Sequence, residues 1–189
     1  MQTHMPYGKK YPDKNIAVTG DVDTNAIADY LTDIEYSSHA LLKFLEELKQ
    51  VDRRTIVVFW GDHLPAIYSD EFQASLNPVD LHLTEFLLYD TADELKDKKN
   101  NQEIISPFYF TSTMVTQAGL KQAPMDRLLQ ELSSQIPAFE KTHAYQNGEW
   151  QERVSLDNKH LKTLYHDYQL IQYDIVAGKQ YSLKTGFFD

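Results

Sequence analysis

Residues Arg54 to Tyr68, RTIVVFWGDHLPAIY, restrict this chain more than any other stretch. From Thr55 to Trp60 every residue is β-branched, apolar or aromatic, which predicts a buried strand. Gly61 ends the run, and Asp62 and His63 follow at once. A strand that delivers Asp-His from its C-terminal end puts reactive groups at the carboxyl edge of an open α/β sheet. Carboxylate beside imidazole suits a divalent metal, the first supplying charge and the second a nitrogen donor. The competing reading has Asp62 capping the next turn and His63 as an ordinary surface residue. The strand ahead of the pair, with Gly61 and Pro65 on either side, favours a site.

The surrounding elements follow from periodicity. From Thr24, Ile27, Leu31, Ile34, Leu41, Leu45 and Leu48 recur at spacings of four and three, predicting a long helix with Asp23 or Thr24 as its cap. Val51-Asp52-Arg53 then leads into the strand. Helix, tight turn and strand make half of a βαβ unit, so a mainly parallel sheet flanked by helices is expected. Ala66 to Asp80 is a polar loop, Phe86 to Tyr89 a second strand, and Thr91 to Gln102 a solvated excursion. Ser106 at a cap, Pro107 at the first position and Gly119 past the end frame a helix over Phe108 to Ala118. Met125 to Gln135 is a shorter helix, and Tyr145 to Trp150 a turn. Leu161, Leu164, Tyr165, Tyr168, Ile171 and Ile175 then lie at helical spacing. Residues 1–140 are expected to form the α/β part and residues 141–189 a helical extension packed on it.

Bulk properties exclude some functions. With 189 residues the chain can bury one real core. A net charge of −10 argues against a nucleic-acid footprint, which needs a basic patch. The absence of cysteine removes disulfides and thiolate metal sites. No apolar run approaches the length of a membrane span. The opening, Met1 to Tyr7, has no capping or tail character and reads as the interior of a larger protein, so a fragment is expected.

The segment Val57-Val58-Phe59-Trp60-Gly61-Asp62-His63-Leu64-Pro65 resembles the sulfatase-like branch of the alkaline phosphatase superfamily, and within it the lipoteichoic acid synthase and phosphoglycerol transferase group. Thr3-His4-Met5-Pro6-Tyr7 is similar to that group's His-x-Pro-Tyr segment. The resemblance implies the C-terminal portion of an alkaline-phosphatase-like fold. It makes Asp62 and His63 metal ligands and His4 a substrate-binding residue for the phosphate group. It assigns the chemistry to a nucleophilic threonine and an acidic ligand upstream of the His-x-Pro-Tyr segment, so no catalytic nucleophile is expected here. Thr3 and Thr19 do not fill that role.

The expected parent is a bacterial cell-membrane enzyme with this part on the extracellular face, reaching the membrane through segments missing here. It would move phosphoglycerol, or a related phospho-substituent, from a lipid donor to a glycan or glycolipid. Mn²⁺ or Mg²⁺ suits such a site, and one imidazole also admits Zn²⁺. The N-terminal half of the same enzyme is then the chain's partner, and these residues alone should be inactive. The rivals are a sulfatase or phosphodiesterase with the same ligands, and a non-catalytic glycan-binding domain using Tyr165, Tyr168 and Tyr173. Tyrosines so spaced more often pack a helix than stack on sugars.

Overall fold

The computed structural model describes residues 6–12, 16–20, 23–96 and 104–189. The chain separates into two compact units, Met1–Ala92 and Asp93–Asp189.

The first unit is built on α1, Thr24–Leu48, where the sequence places it. Asp23 caps it, its carboxylate accepting from the Ala26 amide at 3.0 Å. The buried face differs from the apolar stripe. Ala28, Asp29, Thr32 and Asp33 are buried with Leu45, while Ile34 and Leu42 are exposed. Two carboxylates go inside because residues 8–11 lie across them with matching donors. Asp29 Oδ2 accepts from the Gly8 amide and, at 3.0 Å, from the Lys10 amide. Asp33 takes Lys10 Nζ at 2.6 Å and the Tyr11 hydroxyl at 2.5 Å. A buried charge is tolerable when it is paired and hydrogen-bonded in this way. That condition is invisible to apolar periodicity.

The strand β1, Ile56–Trp60, pairs with β2, Phe86–Asp90, from Ile56↔Asp90 to Trp60↔Phe86. The pairing is antiparallel. The chain is α/β as expected, but the mainly parallel sheet is not what the described strands form, and the reason lies in the connection. Between the strands lie α2, Asp70–Ser75, and a 3₁₀ turn, Pro78–His82. A six-residue helix is roughly 9 Å long. That helix does not itself run back along the five-residue strand of about 17 Å. The excursion closes on itself where the Gly61 amide donates to Glu85 O at 3.1 Å, so the chain returns at the end it left and β2 runs the opposite way. β1 is also less buried than its composition predicts, with Phe59 47% and Trp60 44% exposed. At the other end of the ladder Arg54 grips Asp90, Nη2 lying 2.7 Å and Nε 3.1 Å from Oδ2.

The second unit packs α3, Phe110–Gln117, α4, Pro124–Gln135, and α5, Lys159–Val176, with a small antiparallel sheet of β3, Ala138–Phe139, β4, Ala144–Gln146, and β5, Glu149–Gln151. Gly119, at φ +70°, stops α3. Its amide reaches Thr116 O at 3.1 Å, and the Leu120 amide reaches Val115 O at 3.0 Å, a Schellman ending. Ser106 stands at the N-cap position with Pro107 next, as read, but of a 3₁₀ turn and without a side-chain capping bond. Its hydroxyl accepts from the Phe139 amide at 3.0 Å, and the turn, Pro107–Tyr109, precedes α3. The turn read at Tyr145 to Trp150 is a hairpin. Asn147 and Gly148 both take positive φ, 55° and 85°, as a two-residue hairpin turn requires.

The core joins Tyr109, Leu129, Leu132, Ile136, Ala144, Leu161 and Leu164, and so runs across residue 140. Gln146, buried, brackets Ser155, its Oε1 accepting from the amide at 2.6 Å and Nε2 donating to the carbonyl at 3.2 Å. At the chain's end, Asp174 accepts from the Ser182 amide at 2.8 Å and hydroxyl at 2.7 Å, fastening the tail to α5. Among the described residues no helix is long and apolar enough to cross a membrane.

Candidate metal centre

The first unit carries the Asp-His pair where β1 ends. Gly61 completes the ladder, its amide donating to Glu85 O at 3.1 Å. Its carbonyl accepts from the Thr84 hydroxyl at 2.6 Å. The backbone then turns out of the sheet, and both following side chains reach solvent. The Asp62 side chain is 79% exposed and that of His63 59%.

Local bonds orient the pair. Asp62 Oδ1 accepts from the His63 amide at 3.0 Å, so the carboxylate does cap its own turn. One oxygen is used, and Oδ2 points toward the imidazole. His63 Nδ1 lies 2.8 Å from Leu64 O. A carbonyl only accepts, so Nδ1 carries a proton, and in the neutral tautomer that leaves the ring's lone pair on Nε2. An imidazole whose second nitrogen donates to a backbone carbonyl is in the usual arrangement of a metal-binding histidine. Nε2 and Asp62 Oδ2 are 3.6 Å apart. Two ligands sharing one ion at bonds of about 2.1 Å are separated by roughly 3.0–3.4 Å, depending on coordination geometry. The donor types fit a divalent ion. The observed separation is slightly wider than a shared ion would leave, so the two side chains would have to close on it by a few tenths of an ångström.

The pair is not a complete shell. Among the described residues no group of three or more His, Asp or Glu side chains gathers to hold a metal. An ion needs about four to six ligands in all. Asp62 and His63 could supply two of them.

The remaining sequence-derived residues divide plainly. His4 lies outside the described residues. Tyr165 and Tyr168 direct their rings into the second unit, where both meet Phe139 edge-on, at 5.5 and 5.8 Å, and Tyr168 stacks on Phe108 at 5.7 Å. Burial raises the Tyr168 phenol above its ordinary value. Of the three tyrosines considered for sugar stacking, Tyr173 alone is exposed, at 65%. Sequence reasoning passed over Thr84, the hydroxyl bonded to the residue before Asp62. Its partner is distant in sequence, and a threonine ahead of a strand carries no periodic signal.

Similarity to known proteins bears on the family and fold. The family model described as Sulfatase matches residues 1–120. A Rhizobium meliloti (strain 1021) protein named for cyclic beta-1,2-glucan modification is 23% identical over 210 aligned positions, covering 99% of this chain and 32% of that protein. The solved structure of the Streptococcus pyogenes phosphoglycerol transferase GacH, in complex with sn-glycerol-1-phosphate, superimposes with a TM-score of 0.74 at 26% identity. That match covers 100% of this chain and 45% of GacH. The chain thus spans about a third of the curated relative and under half of the solved one. With the family model covering more than half of its residues, the chain belongs to the sulfatase family.

Proposed function

We propose that the protein carrying this chain is a metal-dependent transferase that moves phosphoglycerol, or a related phospho-substituent, onto a cell-envelope glycan or glycolipid. The observation that carries the reading is the Asp62–His63 pair, with His63 Nε2 3.6 Å from Asp62 Oδ2. The likeness to a phosphoglycerol transferase supports the substrate class, and the relative named for glucan modification supports a glycan acceptor. Mn²⁺ or Mg²⁺ is the proposed ion, with Zn²⁺ as the alternative. When bound, such an ion neutralises phosphoryl charge and lowers the pKa of a hydroxyl nucleophile.

Each residue here has a defined share. Asp62 supplies charge through Oδ2 while Oδ1 holds the turn. His63 supplies Nε2, its tautomer set by Leu64 O. His4 keeps the proposed role of binding the phosphate group. The nucleophile and the other ligands are proposed to come from the part of the protein that these residues do not span, so this chain alone should not turn over. Placement on the outer face of a bacterial membrane is part of the same proposal.

The test uses the full-length protein with Mn²⁺, offering lipid-linked glycerol phosphate and an aryl sulfate in parallel. Transfer to a glycan is expected, abolished by a chelator, and lowered by Asp62→Ala or His63→Ala by more than the roughly 10–100-fold that second-shell changes cost. Turnover of the aryl sulfate alone would establish the hydrolase instead. Chelator-resistant transfer would remove the metal from the reading.

A further inference from the structure

We propose that Thr84 is a positioning residue for the Asp62–His63 pair, an inference that rests on the metal reading of that pair. Three observations converge on Gly61. The Thr84 hydroxyl donates to its carbonyl at 2.6 Å. Its amide donates to the carbonyl of Glu85, the next residue, at 3.1 Å. A Cβ added at Gly61 would stand 3.1 Å from Thr84 Cβ and 3.5 Å from Cγ2, so the threonine packs directly over the glycine's α-carbon.

Both polar groups of Gly61 and one face of its backbone are therefore held by residues 84–85. The Gly61 carbonyl belongs to the peptide plane that carries the Asp62 nitrogen. Fixing that plane fixes where the first ligand leaves the sheet. Downstream, Asp62 and His63 bond to each other and to Leu64, contacts that move with the turn and do not tie it to β2. Gly61 is itself tied to residues 84–85, one residue before the pair. A rigid supporting contact of this kind is what keeps exposed ligands near binding geometry before the ion arrives.

The functional parts of Thr84 are separable. The hydroxyl orients the peptide, while the methyl fills the space that glycine leaves. Valine keeps the volume and removes the donor. Serine keeps the donor and removes the methyl.

The experiment is a Mn²⁺ titration of the full-length protein at low temperature, where every variant is folded, with amide exchange measured on the metal-free forms. Thr84→Val should weaken Mn²⁺ binding by about tenfold, and Thr84→Ser should stay near wild type. Amide exchange should quicken at Asp62 and His63 in Thr84→Val but not at Val58. Thr55→Val is the control, because it loses a comparable hydroxyl bond, Thr55 Oγ1 to Arg53 O at 3.2 Å, before β1 begins. It should leave Mn²⁺ affinity unchanged. Equal affinities for wild type and Thr84→Val would overturn the proposal, as would equal weakening by Thr84→Ser or by Thr55→Val. If Asp62→Ala binds Mn²⁺ as wild type does, the metal reading itself fails and takes this inference with it. That outcome is recognised by the aspartate variant alone.

Discussion

Arg54 and Asp90 form a two-nitrogen grip at the end of the β1–β2 ladder opposite the ligand pair. The Asp90 side chain is 1% exposed and that of Arg54 31%. Asp90 Oδ1 also accepts from the Ala92 amide at 3.0 Å, so the carboxylate anchors the turn after β2 as well.

Arg54→Ala would leave that carboxylate buried without its cation. Breaking a fully buried pair costs about 3–5 kcal/mol. The partial exposure of Arg54 lowers the expectation to about 2–3 kcal/mol. Arg54→Lys should recover little, since an ammonium does not reproduce the planar grip. Chemical denaturation of the full-length protein, read by a probe in residues 54–91, measures both. A loss under 1 kcal/mol for alanine would mean that water already reaches Asp90.

Asp33 holds the Tyr11 phenol in its protonated form. The hydrogen bond to Asp33, followed by burial and the nearby carboxylate charge, pushes this pKa up to about 12. The ordinary value is about 10. A group raised in the fold stabilises fully below the ordinary value and loses that contribution as pH climbs through the folded one. Attachment of residues 8–11 to α1 should therefore weaken between about pH 10 and about pH 12. In Asp33→Ala the Tyr11 ring resonances should titrate near the ordinary tyrosine value. An unchanged midpoint would show that the hydrogen bond is not the cause.

Asp174 behaves in the opposite sense. Its bond from the Ser182 hydroxyl, then that from the Ser182 amide, holds its pKa below the ordinary carboxylate value. Docking of the tail should be complete above about pH 4 and be lost as pH falls through the lower folded value. Ser182→Ala should move the loss to higher pH. Gly178→Ala attacks the same joint sterically, because the new Cβ would lie 2.6 Å from the Asp174 α-carbon. Backbone must move to admit it, at a cost of about 1–3 kcal/mol. Amide resonances of residues 180–184, followed against pH, report both changes. A tail that stays docked in Gly178→Ala would show that α5 can yield there.

How far the sequence reaches depends on how local the cause is. The span of α1 was legible because a cap and an apolar repeat mark it, and the stop at Gly119 because only a positive-φ residue ends α3 that way. The direction of β2 was not legible, since it depends on the excursion closing through the Gly61–Glu85 bond, between residues far apart in sequence. Nor was the buried face of α1, where Asp29 and Asp33 are matched by residues earlier in the chain. At the candidate site the Asp-His pair at the end of β1 could be read from Gly61-Asp62-His63. The tautomer of His63 and the hold of Thr84 on Gly61 could not, because each depends on where a carbonyl oxygen points.

The excursion from β1 to β2 leaves and returns between the same two feet, Gly61 and Glu85, which are bonded to each other. Strand register is set by the ladder and by Arg54–Asp90, not by what happens beyond those feet. Doubling the length of such a loop costs only about 0.6 kcal/mol in closure entropy. Residues 65–77 are thus open to replacement, whereas Val79 is buried and is not. Evolution, or a designer grafting loops between relatives, can rewrite the surroundings of the candidate centre while the strand keeps Asp62 and His63 in register.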